Sequence, residues 1–229
     1  MFKLLVKFPS RNRPEKFKSI LNRYIEWISG KHSVRFIITM DEDDSTMNVD
    51  EIKEYLNSHI KNGVDLSYYY GHSKTKVEAC NANLDGEEAE VIMLISDDMV
   101  LQQKNYDDLI FENFQVAFPE YDGGIKFFDG LRPDILMTLP VIGWKFYEKF
   151  GYIYNPKYTS LYCDTEQTEV LYKLGKLAVN NTCLAKHEWT PQPFDELHAR
   201  NENAGMYEVD GKVFEDRKKN NFDIGRMVV

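Results

Sequence analysis

Two carboxylates, Asp97 and Asp98, come directly after the apolar run Val91-Ile92-Met93-Leu94-Ile95 and Ser96. An unbroken apolar run of this length reads as a strand buried on both faces, and ligands of open α/β sheets bind beyond the carboxyl ends of such strands. Two other apolar strands end in the same manner. Residues 2–8 run into Pro9-Ser10-Arg11-Asn12-Arg13-Pro14, and residues 34–39 run into Met40-Asp41-Glu42-Asp43-Asp44. Charged groups converging on one sheet edge could hold a divalent cation and a phosphorylated small molecule, the cation offsetting the repulsion between an acidic protein and phosphate. The alternative is that each group merely solvates a strand end.

The elements that must carry these groups alternate. Phe17, Ile20, Leu21, Tyr24, Ile25 and Ile28 fall on one face of a helix, with Pro14 in its first turn and Gly30 at its stop. Asn48 and Glu51 open a second helix as a capping pair, and Ile52, Leu56 and Ile60 face inward. Residues 64–70 form a third strand, Ser73 caps a short helix reaching Leu84, and Asp85-Gly86 turns into the strand that ends at Asp97. Three alternations of strand and helix predict a parallel sheet with right-handed crossovers. Further along, the spacing predicts a helix over 106–117, strands over 125–128 and 135–141, and a helix over 144–150 closed by Gly151. An irregular aromatic stretch, a helix over 164–174 and a strand over 179–184 follow. Residues 1–189 read as one domain. Beyond Thr190 the apolar periodicity fades, so residues 190–229 read as an extension that wraps the domain or acts as a lid.

Composition bounds the function. The 229 residues suit one substantial domain, and 43% hydrophobic residues can fill its core. A net charge of −9 argues against non-specific nucleic-acid binding, which needs lysine and arginine facing phosphates. No apolar run approaches the roughly 20 residues of a membrane span, and the lysine-interrupted start does not read as a signal peptide. Cys80, Cys163 and Cys183 make neither a disulfide framework nor a zinc spacing, so a cytoplasmic location is expected. No Gly-x-Gly-x-x-Gly or Gly-Lys-Ser/Thr loop occurs. Asp41-x-Asp43-x-Ser45 fails as a calcium loop, because Thr46 replaces the glycine and Ile52 the closing glutamate.

The order of motifs over residues 2–189 resembles the GT-A glycosyltransferases, and glycosyltransferase family 2 among them. Pro9-Ser10-Arg11-Asn12-Arg13 is similar to the family's turn after the first strand, and Asp41 or Asp43 stands where an acidic residue reads the nucleoside base. Asn81 lies the family's distance before an Asp-x-Asp, which here is Ser96-Asp97-Asp98, with serine in place of the first aspartate. The resemblance implies a single α/β, GT-A-like (Rossmann-like) domain whose central, mostly parallel sheet is flanked by helices. It implies nucleotide-sugar binding by Pro9, Ser10, Arg11, Asp41, Asp43, Lys76, Asn81 and Asp97. Lys76, or Lys74, would replace the basic residue the family carries where Cys80 stands.

The same resemblance implies Mn²⁺ or Mg²⁺ on Asp98 and His187, and a mixed oxygen and imidazole shell leans towards Mn²⁺. Asp164 in Cys163-Asp164-Thr165-Glu166 would be the catalytic base, with Glu166 as the fallback. Asp164 with Gln167 three residues on is also a helix N-cap in its own right. The implied activity is metal-dependent transfer of a sugar from a nucleotide-diphosphate donor, a UDP-sugar being favoured, to a glycan or other hydroxyl acceptor with inversion. Two alternatives stay open. A sugar-phosphate nucleotidyltransferase has the same fold logic, although residues 9–14 lack its glycine-rich loop. A catalytically silent nucleotide-sugar-binding domain would account for Ser96.

Overall fold

The computed structural model describes residues 3–131, 134–188, 197, 199 and 203–226. Strands β1 (Lys3–Pro9), β2 (Ser33–Asp41), β3 (Leu66–Gly71) and β4 (Val91–Leu94) are parallel, with β1 paired to both β2 and β4. The sheet continues through β7 (Val141–Gly143), β6 (Gly124–Phe128) and β8 (Leu177–Cys183), in the order β3-β2-β1-β4-β7-β6-β8. Only β7 runs against its neighbours, and β6 and β8 pair in parallel. Gly143 is required where β7 ends, because a Cβ there would lie 2.1 Å from the Tyr121 carbonyl oxygen. A separate two-stranded sheet pairs β5 (Met99–Leu101) with β9 (Ala185–His187).

Side-chain alternation divides the core between two faces of the sheet. Leu4, Val6 and Phe8 meet Phe17, Leu21 and Tyr24 of α1 (Pro14–Glu26), Ile52 and Leu56 of α2 (Asp50–Lys61), and Phe111 and Phe114 of α4 (Tyr106–Ala117). Leu5, Ile37, Ile92 and Leu94 belong to the other face. They share a cluster with Val77 and Cys80 of α3 (Lys76–Asn81), Trp144 and Phe146 of α5 (Trp144–Phe150), and Leu171 of α6 (Cys163–Lys173). Phe214 of the C-terminal helix α7 (Ala204–Lys219) joins this second cluster. Each fully buried large apolar side chain contributes about 1.5–3 kcal/mol, so both helical layers are tied firmly to the sheet.

Several local expectations are corrected. Asn48 is not a cap: Val49 holds that position for α2, and the Asn48 amide donates to the Glu42 carbonyl at 3.0 Å. Thr75 rather than Ser73 caps α3, accepting the Glu78 N–H at 3.1 Å, and the helix ends at Asn81. No strand covers 135–140. Pro140 cannot donate to a ladder, and the Met137 N–H is taken by the Thr168 hydroxyl at 3.0 Å. Within the expected extension, residues 204–219 form a helix that the faded periodicity did not announce. Residue 189 and, within that region, residues 190–196, 198, 200–202 and 227–229 lie outside the described residues.

Candidate functional site

A cleft of ≈ 580 Å³ opens beyond the carboxyl ends of β1, β2 and β4. The Ile95 N–H still bonds to the Lys7 carbonyl at 2.9 Å, so the ladder runs one residue past β4 before Asp97 and Asp98 turn into the cleft wall. The Asp97 carboxylate accepts the Ser10 hydroxyl at 3.1 Å and Arg13 Nη1 at 2.6 Å. Burial pushes the Asp97 carboxyl up, while the Arg13 guanidinium and the Ser10 hydroxyl pull it back down.

Asp98 accepts the Ser96 hydroxyl on Oδ1, and its Oδ2 lies 3.7 Å from His187 Nε2 and 3.8 Å from Arg13 Nη1. His187 is brought there by the small sheet, in which it pairs with Met99. The Glu188 N–H donates to the Asp98 carbonyl at 2.7 Å and the His187 N–H to the Asp129 carbonyl at 2.8 Å, which fixes the two segments together. One carboxylate and one imidazole converging on the cleft suit Mn²⁺ or Mg²⁺. Among the described residues no three His, Cys, Asp or Glu side chains group as a metal site. The remainder of such a shell would therefore be supplied by ligand oxygens and water.

Arg11 extends this charged wall. Its guanidinium donates to Asp41 at 2.7 Å and to Asp43 at 2.6 and 3.1 Å, and Asp41 also accepts the Ser73 N–H at 3.2 Å. Pro9, Ser10, Arg11, Asp41, Lys76, Asp97, Asp98, Asp164 and His187 all line the cleft. Asp43 does not; it is exposed and reaches the site through Arg11. Asn81 stands outside the lining as well. Its amide donates to the Tyr154 carbonyl at 2.7 Å and accepts the Ile153 and Tyr154 N–H groups at 3.0 Å, so it holds the loop behind Tyr154.

Residues 160–164 form a second stretch of the cleft wall, outside the sheet. Tyr162 occupies the N-cap position of α6 in a left-handed conformation and makes no side-chain cap, so Asp164 is the second helical residue and not the cap. Asp164 Oδ1 accepts the Thr165 N–H at 2.8 Å, and Oδ2 has no hydrogen-bond donor among the described residues. The fallback base is overturned. Glu166 is buried away from the cleft, held by Arg217 of α7 at 2.6 and 2.7 Å, by the Tyr158 hydroxyl at 2.6 Å and by Asn155 at 3.1 Å. Its oxygens are committed to donors, and no acceptor hydroxyl can reach it. Sequence reasoning left Arg13 and Ser160 out of the site. Arg13 stood inside the quoted turn and its spacing from Asp97 offered no hint; nothing local marked Ser160.

No family model and no curated protein matches this chain. Solved structures do. Mannosyltransferase PcManGT from Pyrobaculum calidifontis, in complex with GDP-Man and Mn²⁺, superposes with a TM-score of 0.64 at 12% identity, covering 86% of this chain and 59% of that one. S. aureus TarS 1–349 in complex with UDP-GlcNAc gives 0.64 at 12% identity, covering 90% and 64%. Glucosyl-3-phosphoglycerate synthase from Mycobacterium tuberculosis, with Mn²⁺, UDP-Glc and phosphoglyceric acid, gives 0.58 at 14% identity, covering 92% and 80%. The chain spans less than two thirds of the length of the first two structures. Its fold is the GT-A fold of these enzymes.

Proposed function

From the GT-A fold as premise, we propose that this chain is a metal-dependent glycosyltransferase that moves a sugar from a nucleotide-diphosphate donor to a hydroxyl acceptor with inversion. The observation that carries the reading is one cleft lined both by Asp98 and His187, 3.7 Å apart, and by Asp164. Asp98 and His187 would hold Mn²⁺ or Mg²⁺, which when bound supplies positive charge against the leaving diphosphate. Arg11 with Asp41 and Asp43 forms the base-side edge. Ser10, Asp97 and Lys76 face the ribose and diphosphate, and Arg13 fixes Asp97. Pro9 shapes that turn, and Asn81 acts through the loop it holds.

Asp164 accepts the acceptor's hydroxyl proton as the oxygen bonds to the anomeric carbon. The bond from that carbon to the donor diphosphate breaks, and its electron pair leaves with the diphosphate. A single displacement from the opposite face inverts the centre. The ligands bound by the similar structures, UDP-sugars and GDP-Man with Mn²⁺, support a nucleotide-sugar donor, with a UDP-sugar favoured. The three cysteines form no disulfide, which fits a cytoplasmic setting, and among the described residues no helix is long and apolar enough to cross a membrane.

A thermal-shift screen of UDP-Glc, UDP-GlcNAc and GDP-Man with and without Mn²⁺ tests the reading, since a ligand that binds only the folded state raises its melting point. Metal-dependent shifts are expected for one donor class, lost in Asp98→Asn and reduced in His187→Ala. Shifts that ignore the metal would sink the metal assignment. The Ser96 hydroxyl bonded to Asp98 favours, as a second reading, a silent binding domain. Binding without any donor turnover is the outcome that selects it.

A further inference from the structure

The turn before Asp164 is braced from another part of the chain. Asp210, fully buried on α7, accepts the backbone N–H groups of Thr159 at 3.0 Å, Ser160 at 2.8 Å and Leu161 at 2.7 Å. Its two oxygens also accept the Thr159 hydroxyl at 3.0 and 2.9 Å. The Thr159 carbonyl accepts the Val77 N–H of α3 at 3.2 Å, and the Tyr162 ring stacks on Phe214 of α7 with centroids 5.5 Å apart. One polar group of this turn is left over. Ser160 lines the cleft, and its buried hydroxyl has no hydrogen-bond partner among the described residues. A buried hydroxyl without a partner destabilises a fold, so an orphan on the wall of a ligand-sized cleft asks for a partner that the protein itself does not supply.

We propose that Ser160 is a sugar-binding residue whose hydroxyl pairs with a hydroxyl of the bound carbohydrate, and that Asp210 holds it in place. The proposal rests on the glycosyltransferase reading and adds a sugar contact to it. A sugar hydroxyl both donates and accepts, as serine does, so either direction satisfies the orphan. The hydroxyl itself is shielded from solvent, so pairing requires rotation about the one side-chain torsion of serine, which leaves the backbone that Asp210 fixes in place. The sugar belongs either to the donor or to the acceptor, and the experiment separates them.

Ser160→Ala is compared with wild type in three measurements: melting temperature, affinity for UDP, UDP-Glc, UDP-GlcNAc and GDP-Man with Mn²⁺, and KM for simple methyl glycosides as acceptor probes. The melting temperature should stay or rise, because the removed hydroxyl had no partner, and UDP affinity should stay within about two-fold. A donor-side contact weakens the nucleotide sugar alone by roughly five- to ten-fold, and an acceptor-side contact raises the glycoside KM by a similar factor. Unchanged donor affinity together with unchanged glycoside KM overturns the proposal and leaves the transferase reading standing. A falling melting temperature also overturns it, since the hydroxyl would then be bonded within the fold. If wild type binds none of the nucleotides, the transferase reading fails and this proposal fails with it.

Discussion

The two walls of the cleft are built by opposite means. The wall at the ends of β1, β2 and β4 comes from strands adjacent in one sheet, and its charges are matched in advance: Arg11 with Asp41 and Asp43, Arg13 with Asp97. The second wall, residues 160–164, belongs to no strand. It takes its shape from α7, whose Asp210 binds the Ser160 N–H across 50 residues and whose Arg217 holds Glu166, behind the wall, across 51. A wall of paired charges suits ligand exchange, because phosphate and metal can replace the internal counterions. A wall carrying a carboxylate with one unbonded oxygen suits proton transfer. Binding and chemistry should therefore fail separately.

The largest expected effect tests that separation. Asp164→Asn should lower kcat by about 10²–10⁴-fold, the usual contribution of a positioned base, while leaving donor affinity within about two-fold. Steady-state kinetics and calorimetry on one preparation decide it. A variant that keeps its turnover removes Asp164 as the base, and one that loses donor affinity instead breaks the division of labour between the walls.

Stability should divide along the same line. Arg217→Met would strand the Glu166 carboxylate in the interior, where side-chain exposures of 5% and 4% leave no solvent to replace the partner. Breaking such a buried pair costs about 3–5 kcal/mol, read as a lower urea midpoint. Adding Glu166→Gln should recover much of the loss by removing the stranded charge. Arg11→Met on the other wall loses a pair with the 70%-exposed Asp43 and a second with Asp41, and because Arg11 itself stays a quarter exposed to solvent the loss should be about 1–2 kcal/mol, smaller than at Arg217. Equal losses at the two positions would mean that the donor wall is as structural as its counterpart.

This asymmetry also explains what the sequence made legible. The first half alternates strand and helix at short range, so apolar runs and strand-end charges were enough to locate Ser10, Arg11, Asp41, Asp97 and Asp98 on one edge. β7 was misread because Pro140 and the loop before it interrupt an apolar stretch that periodicity alone extends. The second wall depends on partners far away in sequence. Nothing near Glu166 indicates that Arg217 neutralises it, and nothing near Ser160 indicates that Asp210 takes its N–H. The helix carrying both partners buries Asp210 and Arg217 with the apolar Phe214 between them, a mixed stripe to which hydrophobic periodicity is blind.

The last test concerns a cation beneath the strand-end wall. Lys7 is fully buried on β1, where its ammonium donates to the Thr39 hydroxyl and to the Ala82 carbonyl at 2.7 Å, with no carboxylate among these partners. Burial pushes its pKa from the ordinary 10.5 down to about 7. Between those values the unfolded chain binds more protons than the folded one, so stability must rise with pH across that window. From about pH 7 to about pH 9, wild type should gain about 2 kcal/mol relative to Lys7→Met, and below about pH 7 the difference should level off. Urea titrations of both proteins across the range measure the slope. A flat difference would mean that Lys7 keeps its proton when folded. The donor wall would then rest on a third cation with no anion of its own, and its charges would be less completely matched than Arg11 and Arg13 make them.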